Sequence, residues 1–131
     1  MILTNRINII PFYSHRNAIM KSIICKNESE LLTHLTEDKQ QGYRLLGVFM
    51  REVDAKDDEL FVVTQKDAEK KMYSFVHSNQ EALPQISNIY YDAFMYQNEI
   101  YDFYGKPTKN TENYILRLHT YPDNYFPKRK L

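Results

Sequence analysis

YRLLGVFMREVDAKDDELFVVTQKDAEKKMYSFVHS, residues 43–78, decides the architecture of this chain. Tyr43 to Val53 is rich in β-formers, with Leu45 and Phe49 on one face and Leu46, Val48 and Met50 on the other. Apolar residues on both faces predict an interior strand. DAKDD (54–58) reads as a solvated turn. ELFVVTQ (59–65) and KMYSFVHS (71–78) flank the polar connection KDAEK (66–70), the pattern of an antiparallel hairpin with a longer loop. Three successive strands joined by short links predict a meander.

On the N-terminal side, Asn27 offers an N-cap, and Glu28 and Glu30 follow where a helix dipole favours negative charge. Leu31, Leu32 and Leu35 fall at helical spacing and Gly42 can stop the helix, so a helix is predicted over about 27–41. Ile7, Ile9 and Ile10 before Pro11, and Ala18 to Cys25, read as two short strands. On the C-terminal side, Pro84 suits a first helical turn. Ile86, Ile89, Ala93, Tyr96, Ile100 and Phe103 recur at spacings of three and four, and Gly105 and Pro107 end the pattern. NYILRLH (113–119) is a short β-like run, followed by an irregular tail. The expectation is one α+β domain spanning 1–131. It has two layers: a mainly antiparallel sheet, and helices 27–41 and 84–104 on one of its faces. Residues 106–131 are expected to form a partly extended tail.

Length and composition agree with one domain. The chain has 131 residues, 43% hydrophobic and 26% charged, enough to bury a core. Seventeen basic residues balance seventeen acidic ones, so no global field holds a polyanion, and nucleic acid is not an expected partner. Neutrality also removes the self-repulsion that keeps lone proteins apart, which favours life in an assembly. Eleven tyrosines, with no tryptophan, supply amphipathic rings suited to interfaces. One cysteine excludes a disulfide framework and multi-cysteine metal sites and points to a reducing compartment. No apolar run has membrane-spanning length, and the start lacks the pattern of a secretory signal, so a cytoplasmic location is expected.

Catalytic signals are sparse. Asn88, Asp92, Met95, Glu99 and Asp102 form a polar stripe on the long predicted helix, and spacing i, i+3 lets Glu99 and Asp102 point the same way. Such a pair suits acid–base work or half a metal site, but no Glu-x-x-His partner follows it. A solvated or partner-facing acidic edge is the favoured reading. His15, His34, His77 and His119 show no ligand spacing, so no metal is expected. Cys25 lies in an apolar run and reads as a buried, inert thiol. Three glycines exclude a Walker loop or a dinucleotide fingerprint. No catalytic residue and no cofactor site are expected. Residues 84–103 carry three acids and no Lys or Arg, whereas 104–131 carry six basic residues against Glu112 and Asp123. The acidic helix and the basic tail can pair with each other or with partners.

QNEIYDFYG (97–105) extends the reading. It resembles the signature of the 30 kDa subunit family of NADH–quinone oxidoreductase, respiratory complex I, and its relatives in energy-converting [NiFe] hydrogenases. That signature runs Glu-Arg-Glu-Ile/Val-Tyr/Trp-Asp-Leu/Met-Phe/Tyr-Gly. Glu99, Ile100, Tyr101, Asp102, Tyr104 and Gly105 match it, and Phe103 is a conservative change. Pro84, Ser87 and Ile89 resemble the family's helix start, and Ala93 its small residue before the signature. LRLHTYPDNYFPKRK (116–130) looks like its C-terminal ending. Gln97-Asn98 replaces the leading Glu-Arg, and KPTKNTEN (106–113) stands where the family carries Gly-His-Pro. The short form is more similar to the family's small homologue in ferredoxin-linked hydrogenases of the Ech or formate-hydrogenlyase type.

The resemblance implies a non-catalytic subunit that binds no cofactor and braces a hydrophilic arm. Its implied partners are the catalytic large subunit and the iron–sulfur small subunit, with membrane contact only through other subunits, on the cytoplasmic side. It implies Glu99 and Asp102 as polar anchors, bonded to Arg117 or to backbone N–H groups. Tyr101, Phe103, Tyr104 and Gly105 complete a docking edge, from which Tyr121, Tyr125, Phe126, Lys128 and Arg129 would reach across the partner. The alternative is a free-standing adaptor or ligand-binding domain, for which a deep apolar pocket would speak.

Overall fold

A computed structural model describes residues 7–11, 19–111, Phe126 and Arg129. Its strands are β1 (Ile7–Pro11), β2 (Ile19–Cys25), β3 (Arg44–Glu52), β4 (Asp57–Lys66) and β5 (Glu69–Ser78), and its helices are α1 (Glu28–Gln40) and α2 (Ala93–Tyr104). The strands form one sheet in the order β1-β2-β5-β4-β3. The meander β3-β4-β5 is present as read, and both N-terminal strands form. All pairs are antiparallel except β2 with β5, which run parallel with Ile23 opposite Tyr73. The fold is α+β. Leu31 and Leu35 of α1 and Ala93 and Ile100 of α2 share one core with Ile23, Val48, Leu60, Val62 and Phe75 of the sheet. Both helices therefore cover the same face.

α1 begins and ends as its sequence directs. The Asn27 side chain accepts a 2.8 Å hydrogen bond from the Glu30 N–H, and the chain leaves the helix through Gly42 at φ 90°. Asp38 lies near the negative end of the helix dipole, buried against the sheet. Lys71 Nζ (3.0 Å), Tyr73 OH (2.6 Å) and Thr64 Oγ1 (2.9 Å) all donate to its carboxylate. That set of bonds ties the helix to β4 and β5.

Four details differ from the sequence reading. β3 is an edge strand, not an interior one. Its register shifts between Leu45 and Gly47, and this irregularity reverses the alternation. Leu45 thus faces inward with Val48 and Met50, while Phe49 faces out at 48% exposure. The β4–β5 loop has two residues rather than five: Lys66 pairs with Glu69, and Asp67 adopts φ 54°, which a short Asp side chain tolerates. The turn after β3 closes earlier than expected, because Asp54 Oδ1 accepts from the N–H groups of Lys56 and Asp57 at 2.8 Å each. Asp58 therefore belongs to β4 and is fully buried.

The predicted helix 84–104 is also broken. Ile86–Asn88 form a short 3₁₀ turn, and α2 starts only at Ala93. A continuous helix would bond the Pro84 carbonyl to the N–H of residue 88. Here the buried Gln97 side chain donates to that carbonyl at 2.7 Å, which fixes the segment outside the helix.

An edge strand presents unpaired carbonyls. The Tyr90, Tyr96 and Tyr104 hydroxyls donate to the backbone oxygens of Tyr43, Leu46 and Met50 at 2.8, 3.0 and 3.1 Å. Part of the tyrosine surplus thus fastens α2 and the segment before it along β3. The edge is covered from within the chain.

Candidate functional site

The signature residues occupy the last two turns of α2, and helical geometry divides them. Glu99 is exposed on the rim of a groove of about 370 Å³ between β3 and α2, lined by Val48, Phe49, Ile100 and Phe103. Asp102, one turn further, is 5% exposed. The two carboxylates do not share a surface. They form neither a catalytic pair nor half of a metal site in this arrangement. Tyr101, Phe103 and Tyr104 are half-buried. Gly105 takes φ 73°, the left-handed value that closes the helix, with its N–H donating to the Tyr101 carbonyl at 2.8 Å.

Past Gly105 the chain turns inward. Phe126 packs on Gly105: an added Cβ there would lie 2.9 Å from the Phe126 ring. Tyr101 meets the same ring edge-on at 6.3 Å. Arg129 Nη1 and Nη2 reach Asp58 Oδ1 and Oδ2 at 2.7 and 3.3 Å, and Nη1 also reaches Glu52 Oε2 at 3.0 Å. Its guanidinium stacks 5.6 Å from the Tyr104 ring centre and donates through Nε to the Tyr104 carbonyl at 3.3 Å. Phe126 and Arg129 thus contact this domain, where the sequence reading had them reaching across a partner. Arg117, Tyr121, Tyr125 and Lys128, and the run 113–119, lie outside the described residues.

Asp58 is the centre of this joint. Lys106, 1% exposed, sets Nζ 3.1 Å from Asp58 Oδ2 and donates to the Ser78 carbonyl at 2.9 Å. Asp58 and Glu52 balance Lys106 and Arg129, so the buried cluster is formally neutral. Burial raises the Asp58 carboxyl, but hydrogen bonds from Arg129 and Lys106 prevail and hold it below the usual carboxylate range. Burial lowers the Lys106 ammonium against the pull of Asp58. His77, paired with Asp58 across the sheet, is buried on Phe75, and burial followed by the charge of Lys106 lowers its pKa. The described tail cations therefore pair with Glu28, Glu52 and Asp58 of the rest of the domain.

Sequence reasoning missed Asp58, Glu52, Lys106 and His77. The available signal was alternation: Asp58 shares its face with Leu60, Val62 and Thr64, a phase that continues the apolar pattern of β4 backward by one step.

The sheet face opposite the helices is open among the described residues. Ile24, Ser74, Phe61 and Phe49 form one cross-strand row over four strands. Phe49 and Phe61 stack at 5.0 Å, and Ile24, Phe49 and Val76 are exposed. Arg51 and Glu59 pair at 2.7 Å beside them. Hollows elsewhere are shallow. One of about 600 Å³ is an open groove along α1 lined by Glu28, Leu32, Thr36 and Lys109. No described helix is long and apolar enough to cross a membrane.

No protein-family model and no curated protein matches the sequence. Solved structures do match the fold. A trypsin-resistant fragment of Nqo5 (1–134) superimposes with a TM-score of 0.64 at 10% identity, over 82% of this chain and 89% of the fragment. A chain of the membrane-bound sulfane sulfur reductase, an archaeal respiratory membrane complex, superimposes with a TM-score of 0.72 at 14% identity, over 95% of this chain and 75% of that one. The chain shares its fold with these proteins, consistent with the resemblance of residues 97–105 to the 30 kDa subunit family of NADH–quinone oxidoreductase.

Proposed function

We propose that this chain is a non-catalytic structural subunit of a respiratory, complex-I-like or energy-converting [NiFe] hydrogenase assembly. It docks on the catalytic large subunit near the iron–sulfur small subunit, peripheral on the cytoplasmic side of the membrane. One structural neighbour belongs by name to an archaeal respiratory membrane complex and another is Nqo5, and the end of α2 resembles the signature of the 30 kDa subunit family. The observation that carries the reading is the open face of the sheet. The stacked Phe49 and Phe61, with Ile24 and Val76 exposed on the same face, are the kind of apolar surface that partners cover. The signature residues have a second task in this reading. Tyr101, Tyr104 and Gly105 shape the joint that seats Phe126 and Arg129, while Glu99 and Phe103 remain at the groove rim for contact. A rigid brace helps a relay of redox centres by fixing their spacing.

The test is co-purification of the tagged chain from its own cells. Phe49→Asp places a charge in the open face without touching the core, so it should abolish recovery of the large subunit while leaving circular dichroism unchanged. Glu99→Ala should weaken recovery in the same way. Full recovery of partners with Phe49→Asp, or a wild-type chain that runs as a lone monomer in native extracts, would overturn the proposal.

A further inference from the structure

We propose that Cys25, Glu30 and His34 form a binding site for one zinc-like divalent cation, with its fourth position open to water. The Cys25 Sγ, a Glu30 carboxylate oxygen and a His34 ring nitrogen all lie within 4.8 Å of one another. The fold brings them together over a short span of chain. Cys25 ends β2, and Glu30 and His34 sit one turn apart on the first half of α1, directly above it.

Cys25 is 3% exposed, and among the described residues no hydrogen bond reaches its thiol. An unpartnered sulfur aimed at a carboxylate and an imidazole is a donor set without an acceptor. Glu30 Oε1 takes one long hydrogen bond, 3.4 Å from the Lys26 N–H, which leaves Oε2 for an ion. The His34 ring rests against Tyr73 at 5.3 Å, which orients the imidazole.

The chemistry selects the ion. Thiolate, imidazole and carboxylate together suit zinc over calcium or magnesium, which prefer oxygen alone. Around a tetrahedral ion with bonds of about 2.0–2.3 Å, ligand atoms stand roughly 3.5 Å apart. Glu30 and His34 are half-buried, and binding would draw their donor atoms in from the present separation of up to 4.8 Å. In the metal-free chain, burial and then the Glu30 charge push the Cys25 thiol up to about 12. A cation reverses this opposition, because sulfur and carboxylate then share one positive charge centre. Binding breaks the S–H bond, forms a metal–sulfur bond, and releases one proton to solvent. Affinity should therefore rise with pH.

The test is titration of the full, reduced chain with Co²⁺. The expected result is one-to-one binding with a sulfur-to-cobalt charge-transfer band that Zn²⁺ abolishes. Cys25→Ser should remove the band. Glu30→Gln and His34→Gln, at half-exposed positions that leave the fold intact by circular dichroism, should each weaken binding at least about tenfold. Absence of one-to-one binding by the folded wild-type chain overturns the site. So does binding that survives both Glu30→Gln and His34→Gln.

Discussion

Replacing Asp58 by Ala tests whether the tail joint is an integral part of the domain. Asp58 is fully buried and accepts from both Lys106, itself 1% exposed, and a bidentate Arg129. The truncation strands the Lys106 ammonium in the interior against the Ser78 carbonyl. Breaking a buried ion pair from one side costs about 3–5 kcal/mol. That is a large share of the roughly 5–15 kcal/mol that holds a domain together. Arg129→Ala should cost at least about 1.5–3 kcal/mol: Lys106 still neutralises Asp58, but the Glu52 carboxylate loses its bond to Arg129. The double variant Asp58→Leu with Lys106→Met removes both buried charges and should recover much of the loss.

Urea unfolding followed by far-ultraviolet circular dichroism and tyrosine fluorescence reads all three variants. The acid limb supplies a second check. The Asp58 pKa is depressed in the folded state, so its stabilisation is complete above the unfolded carboxylate value of about 3.9 and vanishes as pH falls through the lower folded value. The gap between wild type and Asp58→Ala should be widest at neutral pH and should narrow below about pH 4. A cost under about 1 kcal/mol at neutral pH, the range of a solvated surface pair, would refute the buried cluster.

Two further outcomes follow from the same joint. Gly105→Ala forces a left-handed residue to carry a Cβ, worth about 1–2 kcal/mol, and drives it into the Phe126 ring; limited proteolysis should then cut the C-terminal segment sooner, whereas Gly47→Ala, with no atom within 4 Å of its new Cβ, should change neither stability nor cleavage. His77 has a folded pKa below the unfolded value of about 6.5, so acidification charges the unfolded chain first and stability should fall from about pH 6.5 downward. His77→Phe should flatten that limb in thermal melts, and an unaltered slope would place the titration elsewhere.

The β3 strand shows how far periodicity carries and where it stops. Its β-formers announce a strand, and its neighbours announce a meander, because period-two chemistry is local. Its phase and its position in the sheet are not local. One bulge at Leu46 moves Leu45 to the inner face, and the tyrosines of the segment 90–104 let an edge strand tolerate apolar residues on both sides. The helix 84–104 was similarly legible as a stripe. Its break was not, because the Pro84 carbonyl is claimed by Gln97, thirteen positions away.

The candidate site divides along the same line. Glu99, Tyr101, Asp102, Tyr104 and Gly105 stand out in the sequence because their order resembles a family signature, and Gly105 announces its own left-handed turn. Asp58 looked like a turn residue, since an acidic run reads as solvated until a lysine and an arginine from the far end of the chain arrive to pair with it. Glu30 and His34 lie one helical turn apart in the sequence, but only the seating of α1 on β2 brings the Cys25 sulfur within reach of the same ion.

Sequence alone determined what one turn or one strand can dictate: the element types, the helix caps at Asn27 and Gly105, the meander, and the α+β class. Tertiary structure alone decided the parallel β2–β5 pair, the edge position of β3, the separation of Glu99 from Asp102, and the burial of Asp58 with Lys106. Those outcomes depend on which distant surfaces meet, and burial converts the same charge from a solvated group into a structural one.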